Sequence, residues 1–128
     1  MKLSFRFIKM ICLLSIMFGT TAQANNLFAP AITVNDKSIT HYEISQRETL
    51  LKALKAPGNP VEVARKQLIE DRLKLSVAED LDVLPTEEEI LAGMDEFSAR
   101  ARMDRIVFLQ ELSRIGIDEQ SFRDFIIA

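Results

Sequence analysis

The side chains that could do covalent or acid–base chemistry are few, and their spacing does not assemble them. His41 is the only histidine and Cys12 the only cysteine in a chain of 128 residues. A catalytic base needs a nucleophile within hydrogen-bond reach, and no serine or cysteine stands at a motif spacing from His41. A classical triad is not available, and His41 itself falls in the first turn of a predicted helix, where a side chain faces water. The acids gather as Asp80/Asp82 and Glu87 to Glu89, positions at predicted helix ends where charge is ordinarily displayed. With a single histidine, a metal site would have to be built from carboxylates. No metal or cofactor site is expected, and the four glycines, at 19, 58, 93 and 116, are too scattered for a phosphate loop or a dinucleotide fingerprint.

What remains is apolar recognition. Phe97, Phe108, Phe122 and Phe125, with Met94 and Met103, are the side chains that make adaptable surfaces for varied apolar ligands. The same residues recur at helical spacing, which suits a core equally well. They are the candidate peptide-binding residues on condition that some of them are exposed.

The first nine residues, MKLSFRFIK, carry Lys2, Arg6 and Lys9 with no acid, and Met10 to Gly19 is almost wholly apolar. A run this short falls well below the ~20 residues that span a bilayer. Thr20, Thr21 and the small-x-small sequence ending in Ala22 and Ala24 complete the pattern of a cleavable secretory signal peptide, with cleavage expected after Ala24. Membrane contact is then transient and confined to that peptide. Cys12 lies in the apolar run behind Met10 and Ile11, not behind the small residues of a lipoprotein signal, and is expected to leave with it. The mature chain has no thiol and no disulfide framework, so its stability must come from apolar packing. Removing Lys2, Arg6 and Lys9 leaves 13 basic against 19 acidic residues, a net charge of −6 in place of −3. Nucleic acid is excluded as a natural partner on that balance.

Residues 25–30 read as a flexible leader, and 31–128 as one small domain. Ala31 to Val34 alternates and is rich in branched residues, Asn35 to Lys37 can turn the chain, and Ser38-Ile39 can return as a second short strand. Thr40 with Glu43 is a capping box that opens a helix, with Ile44, Leu51 and Leu54 as its stripe and Ala56-Pro57-Gly58 as its stop. Asn59-Pro60 starts a second, long helix. It bears two apolar tracks, Val61, Ala64, Leu68 and Leu75 on one and Ile69, Leu73, Val77 and Leu81 on the other, so contact on two sides is predicted and with it the central place in a bundle. Thr86 with Glu89 caps a third helix carrying Ile90, Met94, Phe97 and Ala101. A fourth begins near Asp104 with Val107, Phe108, Leu112 and Ile115 inward and Gly116 as its close, and Asp118 caps a fifth bearing Phe122, Phe125 and Ile126. The fold class is mainly α: a small bundle of about five helices with a short N-terminal β-hairpin.

The order of these features resembles the N-terminal domain of the SurA family of periplasmic chaperones in Gram-negative bacteria. Ile32 to Thr40 (ITVNDKSIT) is similar to that family's short strand, Asn-centred turn and entry into the first helix. Gln67 to Leu75 (QLIEDRLKL) is similar to its core helix, and Leu112 to Phe122 (LSRIGIDEQSF) to its Gly-Ile link between helices. The resemblance implies a SurA N-terminal or trigger-factor-like peptide-binding fold, location in the periplasm, ATP-independent holding of unfolded outer-membrane proteins or aromatic-rich peptides, and no catalytic residue in this segment. Members of the family continue into parvulin-type prolyl isomerase domains and a C-terminal helix that packs back. Against them the domain 31–128 reads as incomplete at its C-terminus, without an isomerase site, and self-association through an uncovered last helix is expected. A fragment of a longer isomerase and a small exported helical interaction protein are the alternative readings.

Overall fold

The computed structural model describes residues 26–128; the expected signal peptide, with Ala22, Ala24 and Cys12, lies outside the described residues. The chain is mainly helical, five helices following a two-stranded antiparallel sheet. Strands β1 (Pro30–Val34) and β2 (Lys37–Thr40) pair Val34 with Lys37 across a two-residue turn, with a bulge near Ala31. Asn35 takes φ +53° at that turn, a left-handed angle that asparagine tolerates better than most residues.

The helices are α1 (His41–Ala53), α2 (Pro60–Asp80), α3 (Glu87–Arg100), α4 (Arg105–Arg114) and α5 (Glu119–Ile127). Helices α1, α2, α3 and α5 start at the caps read from the sequence, and α4 starts at Asp104, near which its beginning was expected. Thr40 and Thr86 form reciprocal capping boxes with Glu43 and Glu89, Asn59 accepts from the amides of Val61 and Glu62, and Asp104 and Asp118 cap α4 and α5. These bonds satisfy amides that would otherwise be orphaned at a helix start.

The expected flexible leader is tied down over its described part. Tyr42 donates its amide to Leu27 O at 2.7 Å and His41 to Ala29 O at 3.2 Å, so the leader supplies acceptors to α1's first turn. Phe28 packs on the Tyr42 ring with centroids 5.0 Å apart.

The core lies in two clusters that share α1. On one side Ile39, Ile44 and Leu68 join the hairpin, α1 and α2; on the other Leu50, Ile90, Met94, Phe108, Leu112, Ile117 and Phe122 join α1 to α3, α4 and α5. The central helix is therefore α1, not α2 as its two tracks suggested. Helix α2 packs on α1 and the hairpin alone among the elements with substantial contact. Its first track is inward at Ala64 and Leu68, while Leu73, Val77 and Leu81 of the second are exposed. Length explains this: at 1.5 Å per residue α2 runs about 31 Å against about 20 Å for α1, and the two are antiparallel neighbours. Arg72 pairs with Glu43 of α1's first turn and donates to Ser38 O at 3.3 Å, so the last two turns of α2 run beyond α1.

The last helix is covered, contrary to expectation. Phe122 is fully buried, and Phe125 and Ile126 pack half-buried against the same cluster. In α4, Phe108 and Leu112 are inward but Val107 and Ile115 face solvent, and Leu54 of the α1 stripe is exposed as well.

Candidate functional site

The six residues proposed for peptide binding converge, but chiefly on one another. Phe97 is the hub, with ring centroids 5.8 Å from Phe108, 5.4 Å from Phe122 and 5.6 Å from Phe125. Tilted and edge-on pairs of this kind stabilise by about 0.5–1.5 kcal/mol each beyond area burial. Met94, Phe108 and Phe122 are buried and present no surface to a ligand; Phe97 and Phe125 are half-buried, and Met103 alone of the six is exposed. Most of this set is the core that their spacing equally suited.

Among the described residues, two of the concavities lie outside that core. The larger, about 610 Å³, is an open groove between α3, α4 and the start of α5, lined by Leu91, Ile106 and Leu109 together with Arg105, Gln110 and Asp118. Ile106 is 64 % exposed. The flanking polar groups are held in place: Arg105 Nη1 lies 3.0 Å from Asp95 Oδ2 and donates to Leu91 O at 3.3 Å. Asp118 Oδ1 accepts from the Ser121 amide at 2.6 Å, and its Oδ2 accepts from the Tyr42 hydroxyl. Burial opposes ionisation of Asp118, yet the bonds from Tyr42, from Ser121 and from the Gln120 amide prevail and hold its carboxyl below the usual value. The same bond to Asp118, with burial and the carboxylate's charge, raises the Tyr42 phenol. Gln46, buried on α1, donates to Gly116 O at 2.8 Å and accepts from the Asp118 amide at 3.0 Å. The α4–α5 link is thereby pinned to α1.

The second concavity, about 260 Å³, is a polar cleft between α1, α2 and α5. Arg47 lines it, its Nη1 2.8 Å from Asp71 Oδ2 and 3.2 Å from Gln67 Oε1, its guanidinium carbon 4.9 Å from the Phe125 ring centre. Asp71 Oδ2 has charge contact with Arg47 but no well-aligned hydrogen bond. At the cleft, Asp124 is solvent-accessible at its surface, yet the protein around it removes hydration. That burial pushes its carboxyl up, Glu43's charge adding to the shift and the Gln120 bond and Arg72 opposing it. Both bases of the cleft are engaged by acids already, Arg47 by Asp71 and Arg72 by Glu43.

His41 is exposed at the first position of α1. Among the described residues no three His, Cys, Asp or Glu side chains converge as a metal site would require, and no helix is long and apolar enough to cross a membrane. Gln46, Arg47, Asp71 and Ile106 were not singled out from the sequence. Arg47 could have been: it falls three residues after Ile44 and four before Leu51, on the stripe itself, and a charge there signals a buried pair. No family model, curated protein or solved structure matches the chain.

Proposed function

We propose that the chain is an exported, ATP-independent chaperone module that holds extended segments of unfolded polypeptides, outer-membrane proteins in transit among them, in the periplasm of a Gram-negative bacterium. The observation that carries this reading is Ile106, a large apolar side chain 64 % exposed beside an open groove of about 610 Å³. Leu91 and Leu109 extend the apolar lining, and Arg105, Gln110 and Asp118 offer donors and acceptors to a main chain. Such a surface suits sequence-tolerant binding: apolar contact is non-directional, and the polar groups can serve any backbone. The groove takes the role that the six aromatic and methionine positions were expected to fill. No catalytic step is assigned to it.

The test is a fluorescence titration of the protein with a labelled, aromatic-rich peptide. Binding is expected, with Ile106→Asp weakening it by roughly tenfold or more, as for a central apolar contact, and leaving the thermal transition in place. Ile106 belongs to neither core cluster, so the change does not touch packing. Absence of binding, or binding that Ile106→Asp leaves unchanged, would overturn the groove as the site. The address is tested separately: expression in a Gram-negative host should release a periplasmic species whose intact mass begins at Asn25.

A further inference from the structure

Helix α2 carries an apolar face that no described element covers. Along it Leu73, Val77 and Leu81 are 46 %, 57 % and 65 % exposed. A spacing of four makes them one continuous ridge of the kind that packs helix against helix. Two charges flank the ridge. Lys74 and Asp80 lie three residues before and three after Val77 and, at about 100° per residue, about 60° to either side of it. Neither has an ion-pair partner among the described residues. Asp80 also ends α2, whose last turn contains no base to offset the negative pole of the helix.

We infer that this face joins two copies of the chain, α2 against α2 about a two-fold axis near Val77. The partner is argued from self-complementarity. When ridges of this spacing interdigitate, the helices cross at about 50°. With both N-termini at the same end of the two-fold, that crossing places Leu73, Val77 and Leu81 of the two copies along one apolar seam. It also brings Lys74 of each copy beside Asp80 of the other. In a two-fold contact every such pair forms twice, so both helix C-termini gain the cation they lack. A single helix face is small beside the ~1,200–2,000 Å² of a standard stable interface, and the dimer therefore exchanges with monomer as concentration changes. This contact is separate from the polypeptide groove and does not depend on it.

Sedimentation velocity across a wide concentration range tests the inference. The protein is expected to pass reversibly from monomer to dimer. Val77→Glu, at a position outside both core clusters, should weaken dimerisation by roughly tenfold or more while circular dichroism shows an unchanged fold. Lys74→Glu and Asp80→Lys should each weaken it, and the two together should restore it. Residues six apart on one helix do not face each other, so that restoration requires contact between copies. A monomer at every concentration, a dimer indifferent to Val77→Glu, or a double exchange that fails to restore would each overturn the proposal. Peptide affinity should survive Val77→Glu; if it is lost while the chain is monomeric throughout, the face is a polypeptide site and the dimer is refuted, whereas loss only in Ile106→Asp concerns the groove alone.

Discussion

Arg47 Nη1 lies 2.8 Å from Asp71 Oδ2 with the two side chains only 5 % and 14 % exposed, which makes this the one ion pair among those described that is closed off on both sides. It links α1 to α2, and through the Phe125 face under the guanidinium it links both to α5. Desolvating two charges offsets most of their attraction, whereas removing one partner strands the other.

The first prediction follows from that asymmetry. Arg47→Met and Asp71→Leu should each destabilise by about 3–5 kcal/mol, while the two combined should cost far less than either alone. Urea unfolding of the four proteins provides the cycle. Additive costs in the double variant would show that the pair contributes packing rather than mutual charge compensation.

Gln46 and Asp118 supply the second. The Gln46 amide satisfies both a carbonyl and an amide in the α4–α5 link, at 2.8 Å and 3.0 Å, and no nearby side chain duplicates it. Gln46→Leu keeps the volume but takes the partner from the Gly116 carbonyl and the Asp118 amide, both only part-buried, at a cost of about 1 kcal/mol. Hydrogen exchange should quicken at the Asp118 amide ahead of the rest of α5. An unchanged Asp118 amide would mean that the link holds its shape without Gln46.

A third concerns acid. Because the folded-state pKa of Asp118 is depressed, its contribution to stability is fully present above the ordinary aspartate range and is lost as pH falls through the depressed value. Asp124 has the opposite sign: its folded pKa is raised, so the folded state holds a proton that the unfolded state has released, and stability declines as pH climbs from the ordinary aspartate value through the raised one. Asp118→Asn should flatten the acid limb of stability against pH, since asparagine still caps α5 but cannot titrate. Asp124→Asn should raise stability at neutral pH and remove the opposing slope. Denaturation midpoints measured across the carboxylate range distinguish the two, and parallel curves for wild type and both variants would refute the assignment.

The ends of the helices yield a fourth. Helices α1 to α4 all close in the same way, with one residue in the left-handed region followed by an amide bonded back five residues: Ala56 to Leu51, Val83 to Ala78, Met103 to Ser98 and Ile117 to Leu112. Only the last uses glycine. Lys55, Asp82 and Arg102 occupy φ +53°, +54° and +58°, where an L side chain costs about 1–2 kcal/mol, partly recovered because glycine loses more chain entropy on folding. Replacing each by glycine should stabilise by roughly 0.5–1 kcal/mol, additively because the three turns are separate. Thermal unfolding of the single and triple variants measures it.

These closures also mark where the sequence stopped being legible. Helix starts announce themselves by side-chain chemistry: Thr40, Asn59, Thr86 and Asp118 were read correctly as caps, and Asp104 as the neighbourhood in which α4 begins. Helix stops need only backbone geometry, so a lysine can make one: α1 turns off at Lys55, ahead of the Ala56-Pro57-Gly58 run that was expected to end it, while Gly116 was visible because it is glycine. The stripe of α1 was blurred by Gln46 and Arg47, polar residues whose burial depends on partners 20 or more residues away in sequence, and without them α1 did not look like the central helix. Exposure at Ile106 and along Leu73, Val77 and Leu81 was hidden for a related reason. Periodicity shows that a face is apolar, whereas what covers it is decided by the relative lengths and order of the neighbouring helices.

Gly93 on α3 gives the last prediction, in which local propensity and packing oppose each other. A methyl group there would gain about 1 kcal/mol of helix propensity, but it would stand 2.8 Å from Ile126 Cγ2 on α5. That carbon is fixed at the branch of a β-branched side chain and cannot swing away freely, and overpacking of this kind costs about 1–3 kcal/mol. The clash should therefore match or exceed the propensity gain, and Gly93→Ala should leave stability unimproved or lower it by up to about 2 kcal/mol. In an Ile126→Ala background the obstacle is gone, and the same Gly93→Ala change should stabilise by about 1 kcal/mol. The reversal of sign between backgrounds, read by urea unfolding, is the measurement that matters. A gain of equal size in both would mean that α3 and α5 can separate at no cost, and that Gly93 is not what lets them approach.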